Sequence, residues 1–204
     1  MFNNNFSIGI VGLGTVGTAT IQLLEKKIES INFKSGKNII IKAISSKNFS
    51  KKRNIDLTKY EWENNPEKLA IRDDIDAVVE LVGGSDGISK NLAFSAINNE
   101  KHFITANKAL IAKHGFELYK NIIGKNTSIY YEAAVAGAIP IINGIKNGLV
   151  SSNIIGIEAI LNGTCNYIMS DMTSNNISFQ DSLKTAQELG FAEADPSFDI
   201  EGID

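Results

Sequence analysis

The chain has 204 residues, 43% of them hydrophobic and 21% charged; that is enough apolar sequence for one large domain or one and a half small ones, and it excludes disordered and collagen-like architectures. Its 20 basic and 23 acidic side chains leave a formal charge of -3, which offers no broad positive field to nucleic acid or to an anionic membrane. The expected partner is a small molecule, with no nucleic acid and no membrane.

Polar Met1 to Asn5 lead into a short apolar run, Ser7 to Val11. With neither a charged segment nor a long hydrophobic region there, no signal peptide or membrane span is expected, and the cytoplasm is the default location. Glycines follow, then a helical pattern in which Ala19, Leu23 and Leu24 share a face. After the polar stretch Glu29 to Lys37, the run Ile39, Ile40, Ile41, Ala43 and Ile44 reads as a second strand, buried on both faces of a parallel sheet. Lys47 to Arg72 has no strong period, and Ala77 to Val82 reads as a third strand closed by Gly83-Gly84. A helix around Ser89 to Asn99 precedes strand His102 to Thr105, and a helical stretch around Gly115 to Ile123 precedes strand Ser128 to Glu132.

This alternation predicts right-handed βαβ crossovers and an α/β fold, a Rossmann-type doubly wound parallel sheet over residues 1–138. Near Pro140 the pattern changes to a short helical segment, a strand-like run from Ile154 to Leu161, and two helices flanking Ser174 to Asn176. Residues 139–204 are therefore expected to begin a second domain. Ser178 and Asp181 are the expected capping pair for the helix carrying Leu183, Ala186 and Leu189, which stops at Gly190. The chain then turns acidic, with Glu193, Asp195, Asp199, Glu201 and Asp204.

Gly12-Leu13-Gly14-Thr15-Val16-Gly17 fits G-x-G-x-x-G between a predicted strand and a predicted helix. In that context Gly12 permits the tight turn, Gly14 lets a pyrophosphate approach the backbone, and Gly17 lets helix and strand pack closely. The helix N-terminus presents N–H groups and partial positive charge to the phosphates. The second strand ends in Ser45-Ser46-Lys47, without the carboxylate that takes the ribose hydroxyl of NAD. Lys47, Lys51, Lys52 and Arg53 lie just beyond, where they could face a 2′-phosphate, so NADP is somewhat favoured and NAD stays open; the plain alternative is solvated loop charge.

Four later segments are Thr105-Ala106-Asn107-Lys108-Ala109-Leu110, Glu132-Ala133-Ala134-Val135-Ala136-Gly137-Ala138-Ile139-Pro140, Leu161-Asn162-Gly163-Thr164 and Gly190-Phe191-Ala192-Glu193-Ala194-Asp195-Pro196. Together with the glycine loop they resemble homoserine dehydrogenase, in the order of that family. The resemblance implies interconversion of L-aspartate 4-semialdehyde and L-homoserine with NADPH or NADH, on the route to threonine, methionine and isoleucine. It also implies a homodimer or homotetramer and a second domain that is α+β, serving substrate binding and dimerisation. Members of the family are longer, so the chain resembles only their amino-terminal half.

Carried over by motif, the resemblance places Lys108 at the nicotinamide, in contact with the cofactor and assisting proton transfer. On the residues alone, a lysine just beyond a strand's carboxyl end sits where open α/β sheets bind ligands, although an isolated one is more often a solvated charge. Glu132 with the carbonyls of Val135, Gly137 and Ile139 matches the family's monovalent cation site, usually sodium; oxygen ligands suit such a hard ion. Without the family, Glu132 reads as a helix-capping carboxylate. Glu193 and Asp204 match the residues that hold the substrate ammonium and orient its hydroxyl, and both count with Lys108 as catalytic. Asp199 matches a further acidic position of the substrate site and Gly190 a cofactor contact. Asp195 and Glu201 read as solvated charge.

Reducing an aldehyde by hydride transfer leaves an alkoxide that needs a proton. In homoserine dehydrogenases the leading donor is a lysine one helical turn beyond the aspartate matched by Asp204, past the end of this chain. A fragment of a longer enzyme is the expected explanation, and 204 residues acting alone are expected to hold cofactor weakly and turn over poorly. Two rival functions remain: a nucleotide-binding module or sensor without catalysis, and a semialdehyde dehydrogenase using Cys165 as nucleophile. The latter lacks a basic partner, since His102 and His114 lie upstream, so Cys165 reads as a buried, inert thiol. A lone cysteine also excludes an internal disulfide and a multi-cysteine zinc site. The two histidines suggest no metal role, and Trp62 reads as packing.

Overall fold

In the computed structural model, which describes residues 4–192 and 196–202, the apolar runs become one parallel sheet. Its strands are β1 (Asn5–Val11), β2 (Asn38–Ser45), β3 (Glu61–Trp62), β4 (Ala77–Glu80), β5 (His102–Thr105) and β6 (Ile129–Tyr130), in the order β3-β2-β1-β4-β5-β6. This is the doubly wound arrangement expected from the sequence. Strand order reverses between β1 and β4, and in open sheets of this kind ligands bind beyond the carboxyl ends of the strands at that reversal.

Period-two alternation divides the core between the two faces of the sheet. Ile8, Ile10, Ala77 and Val79 pack with Ile21 of α1 (Thr15–Ser35). Val11, Val78 and Phe103 pack on the other face with Leu92 and Ala96 of α2 (Ile88–Asn98) and Leu110 and Leu118 of α3 (Lys108–Ile122).

Several local expectations are corrected. The inner stripe of α1 is Gly17 and Ile21 with half-buried Leu24 and Ile28, whereas Ala19 and Leu23 are exposed. The helix also absorbs Glu29 to Ser35 and ends only where Gly36 takes φ 67°. Ile39 to Ile41 are half-buried rather than buried on both faces, because β3, which the aperiodic 47–72 segment concealed, pairs only with Ala43 and Ile44. Helix α3 begins at Lys108, well before Gly115, because the Asn107 side chain accepts from the Leu110 amide at 3.0 Å. Strand β6 stops at Tyr130, and Glu132 already lies in a 3₁₀ turn, Glu132–Ala134.

The chain divides into two compact units, Met1–Val150 and Ser151–Asp204. The first ends with a short helix α4 (Ile141–Asn143) continued by the π turn Gly144–Gly148. In the second, α5 (Gly163–Asn175) and α6 (Phe179–Glu188) pack around a small core of Ile168, Ala186 and Ala192, and the short α7 (Ser197–Ile200) lies against α5. Ser178 Oγ accepts from the Asp181 amide at 3.2 Å and donates to its carboxylate at 2.7 Å, the expected cap. Leu189, expected on the inner face of α6, is exposed.

Ile154 to Leu161 form no strand, and Ile155, Ile157 and Leu161 are exposed. A strand exists only as one side of a ladder, and no backbone ladder bond reaches this run among the described residues. Among the described residues no helix is long and apolar enough to cross a membrane.

Candidate functional site

The glycine loop lies at the carboxyl end of β1. Gly12 has φ 98°, and a Cβ there would sit 2.4 Å from the Leu81 carbonyl oxygen; a Cβ on Gly17 would sit 1.9 Å from the Gly12 oxygen. Both are therefore demanded by the protein's own backbone. Gly14 differs: an added Cβ meets nothing within 4 Å, so the second glycine of the motif faces open space. Helix α1 starts at that residue with no side-chain cap and no acid in its first turn, leaving the positive end of the dipole for an anion. Leu13 is buried in the core, so only its backbone lines the loop, while Thr15 and Val16 are exposed at the first turn.

Beyond β2 the four basic residues part company. Lys47, Lys51 and Lys52 are exposed, but Arg53 folds back onto the glycine loop. Its Nε donates to the Leu13 carbonyl at 3.1 Å, Nη1 to the Phe49 and Lys51 carbonyls at 3.4 and 2.8 Å, and Nη2 to Ser46 Oγ and the Asn48 carbonyl at 3.2 and 2.7 Å. A guanidinium has only five N–H groups, so all are engaged in shaping this turn.

The sequence reading missed Glu80, a fully buried carboxylate at the end of β4. Its Oε1 accepts from the Val82 and Gly83 amides at 2.8 and 3.1 Å and from the Ser89 hydroxyl at 2.9 Å, and its Oε2 accepts from the Thr105 hydroxyl at 2.6 Å. Thr105 Oγ1 accepts from the Asn107 amide at 2.9 Å, and Asn107 Nδ2 donates to the Gly84 carbonyl at 2.7 Å. Lys108 follows directly, exposed in the first turn of α3 at the carboxyl edge of the sheet. A single acid within an otherwise apolar strand was the only signal in the sequence. Nearby, Asp86 joins the same loop to α3 through Lys113 Nζ at 2.6 Å and buried His114 Nε2 at 3.2 Å. The Lys113 ammonium, then Ser85 and His114, hold the Asp86 carboxyl well below the usual carboxylate range.

Glu132 caps the start of α4, its two oxygens accepting from the Ile142 and Asn143 amides at 2.9 Å each. Among the cation-site candidates, the Ile139 carbonyl accepts from the Ile141 amide at 2.8 Å. Val135 and Gly137 lie in the turn between, where Ala136 and Ala138 take φ 49° and 67°. Among the described residues no group of three or more His, Cys, Asp or Glu is placed to hold a metal ion.

In the second unit, Asn162 starts α5 by accepting from the Cys165 amide at 2.8 Å and donates to the Asp199 carboxylate at 2.7 Å. Thr164 Oγ1 donates to the Phe191 carbonyl at 2.7 Å. These bonds bring Gly190 and Asp199 together with Asn162, Thr164 and Tyr167 around an open cleft of about 570 Å³. Glu193 and Asp204, with Asp195, lie outside the described residues. Cys165 is half-buried rather than buried, and its thiol donates to the Asp199 carbonyl at 3.3 Å. Among the described residues the thiol's hydrogen-bond partner is a carbonyl oxygen, which is not a base that could activate it. Cys165→Ser, which keeps a donor there, is expected to leave any dehydrogenase turnover within about two-fold of wild type, and near-total loss in a steady-state assay would favour thioester chemistry.

A family model described as homoserine dehydrogenase, NAD binding domain, matches residues 12–132, and one described as homoserine dehydrogenase matches residues 140–204. A homoserine dehydrogenase of Neisseria gonorrhoeae is 44% identical over 97% of this chain and 45% of its own length. One of Helicobacter pylori is 44% identical over 97% of this chain and 46% of its own. The crystal structure of a homoserine dehydrogenase from Thiobacillus denitrificans superposes with a TM-score of 0.85 at 40% identity, over 98% of this chain and 46% of that one. The chain thus spans about half the length of the curated relatives it matches.

Proposed function

Because the chain belongs to the homoserine dehydrogenase family, we propose that it carries the coenzyme-binding part and the start of the substrate-binding part of an enzyme interconverting L-aspartate 4-semialdehyde and L-homoserine. The observation that carries this reading is the glycine loop, with Gly12 and Gly17 closed by their own backbone and Gly14 open at an uncapped helix N-terminus. That cradle fits a dinucleotide diphosphate.

Residues 12–17 hold the diphosphate through backbone amides, and Gly190 adds a cofactor contact. When bound, the nicotinamide supplies or takes the hydride at the substrate carbon. Lys108 lies at the reacting end, where its ammonium contacts the coenzyme and helps move the proton at the substrate oxygen. Glu193, Asp199 and Asp204 take the amino-acid end, whose ammonium needs carboxylate partners. Residues 1–138 serve the coenzyme and 139–204 begin the substrate domain. NADP is the favoured coenzyme because Lys47, Lys51 and Lys52 are exposed beyond a strand end that has no carboxylate. Sodium bound by Glu132, Val135, Gly137 and Ile139 is a further part of the proposal: each Glu132 oxygen keeps a second lone pair beyond its amide. The active form is a homodimer or homotetramer.

The test is homoserine-dependent NADP reduction by the protein as its gene encodes it, run in sodium and in choline salts of equal ionic strength. Reduced coenzyme accumulating only with homoserine supports the reading, and a rate indifferent to sodium removes the cation. Coenzyme binding without any homoserine-dependent reduction would instead identify a nucleotide-binding module.

A further inference from the structure

Full burial of a carboxylate is costly unless hydrogen-bond donors meet its oxygens, and an apolar residue would fill the same space without that cost. Glu80 is nonetheless buried, and it is met by four donors, two of them backbone amides that can only donate. What those donors belong to gives the acid a purpose. The amides of Val82 and Gly83 form the turn beyond Leu81, whose own amide donates to the Val11 carbonyl at 2.7 Å and whose carbonyl is the wall against which Gly12 packs. The Thr105 hydroxyl leads through Asn107 to the head of α3 and to the Gly84 carbonyl. One side chain thus ties the wall of the glycine loop to the residue preceding Lys108.

We propose that Glu80 is a positioning residue that locks the loops after β4 and β5 into one rigid edge and so fixes Lys108 relative to the coenzyme loop. The inference rests on the dehydrogenase reading. Glu80 itself is fully buried and so acts through its neighbours rather than by contact with coenzyme or substrate. A displacement of about 1 Å in a catalytic group costs on the order of 100-fold in rate, so looseness at this edge registers in turnover before it registers in diphosphate binding.

Two substitutions isolate the link in the intact protein. Glu80→Gln keeps the shape but sets an NH₂ where one oxygen accepted, and Thr105→Val removes the hydroxyl bridge alone. For both, kcat is expected to fall about 10- to 100-fold while the Kd for NADPH, read by its fluorescence, stays within about three-fold. Thr105→Ser restores the bridge and should return kcat to within about three-fold of wild type. The double variant should be no worse than the poorer single one, since both cut the same connection. If Thr105→Val does not fold, Asn107→Asp keeps the α3 cap but loses the Gly84 bond, and a loss of about 10-fold in kcat is expected with thermal unfolding little changed. An active wild type with variants of unchanged kcat per folded molecule overturns the positioning role, as does a loss of NADPH affinity that matches the loss of rate. A wild type that never oxidises homoserine overturns the dehydrogenase reading and, with it, the purpose given to Glu80.

Discussion

Gly17→Ala is expected to destabilise the first unit by about 3 kcal/mol or more and to abolish measurable coenzyme binding. The added Cβ would lie 1.9 Å from the Gly12 carbonyl oxygen, and both sides of that clash are backbone, so no rotamer change relieves it. Helix α1 would have to move away from β1, taking Ile21 out of the core it shares with Ile8 and Ile10. For a chain of this size the melting temperature should drop on the order of 10 °C. Gly14→Ala supplies the contrast. Its φ of -78° suits alanine and its Cβ meets no protein atom, so the unfolding transition should shift by no more than about 1 kcal/mol. The same methyl fills the space left for a diphosphate, and NADPH affinity should fall at least about 10-fold. Thermal unfolding and fluorescence titration of the two variants separate the roles, and a Gly14→Ala protein that binds like wild type would place the diphosphate elsewhere.

The contrast between these glycines marks what a sequence can and cannot convey. The pattern G-x-G-x-x-G announced the loop because each of its constraints is local: a turn, a close approach and a helix start within six residues. The doubly wound sheet was legible for a similar reason, since apolar runs of five or so residues separated by helical periods leave few topologies open, whereas the two-residue strand β3 carries no period to read. The Glu80 connection was not legible, because its partners come from positions 82, 83, 89 and 105 and meet only when β4 and β5 are paired.

Arg53 shows the same limit. In sequence it is one of four basic residues, and only the folded loop shows its guanidinium spent on carbonyls and Ser46. Ile154 to Leu161 show the reverse error. Their composition is that of a strand, but a strand also needs a neighbour, and composition carries no information about whether one is present. For Glu132 the bare reading as a capping carboxylate agrees with its bonds to the Ile142 and Asn143 amides, so the cation role rests on family likeness together with the lone pairs left over.

Lys108→Met is expected to lower kcat for homoserine oxidation by about 100-fold or more while leaving NADPH affinity within about 10-fold. Methionine keeps the length and the helical propensity of the side chain, so the first turn of α3 and its Asn107 cap should persist. What is removed is the ammonium, at the carboxyl edge of the sheet where ligands of this architecture bind. A lysine that only attracted the coenzyme through its charge would show itself differently: affinity would weaken, strongly with salt, and turnover at saturating coenzyme would recover. Measuring kcat and Kd at two ionic strengths therefore decides between chemistry and attraction. Arginine at the same position sharpens the decision, because it preserves the charge but cannot give up its proton. If Lys108→Arg binds NADPH normally and still turns over as poorly as Lys108→Met, the proton of Lys108 is what the reaction uses; recovery of rate in the arginine variant would reduce Lys108 to an electrostatic contact.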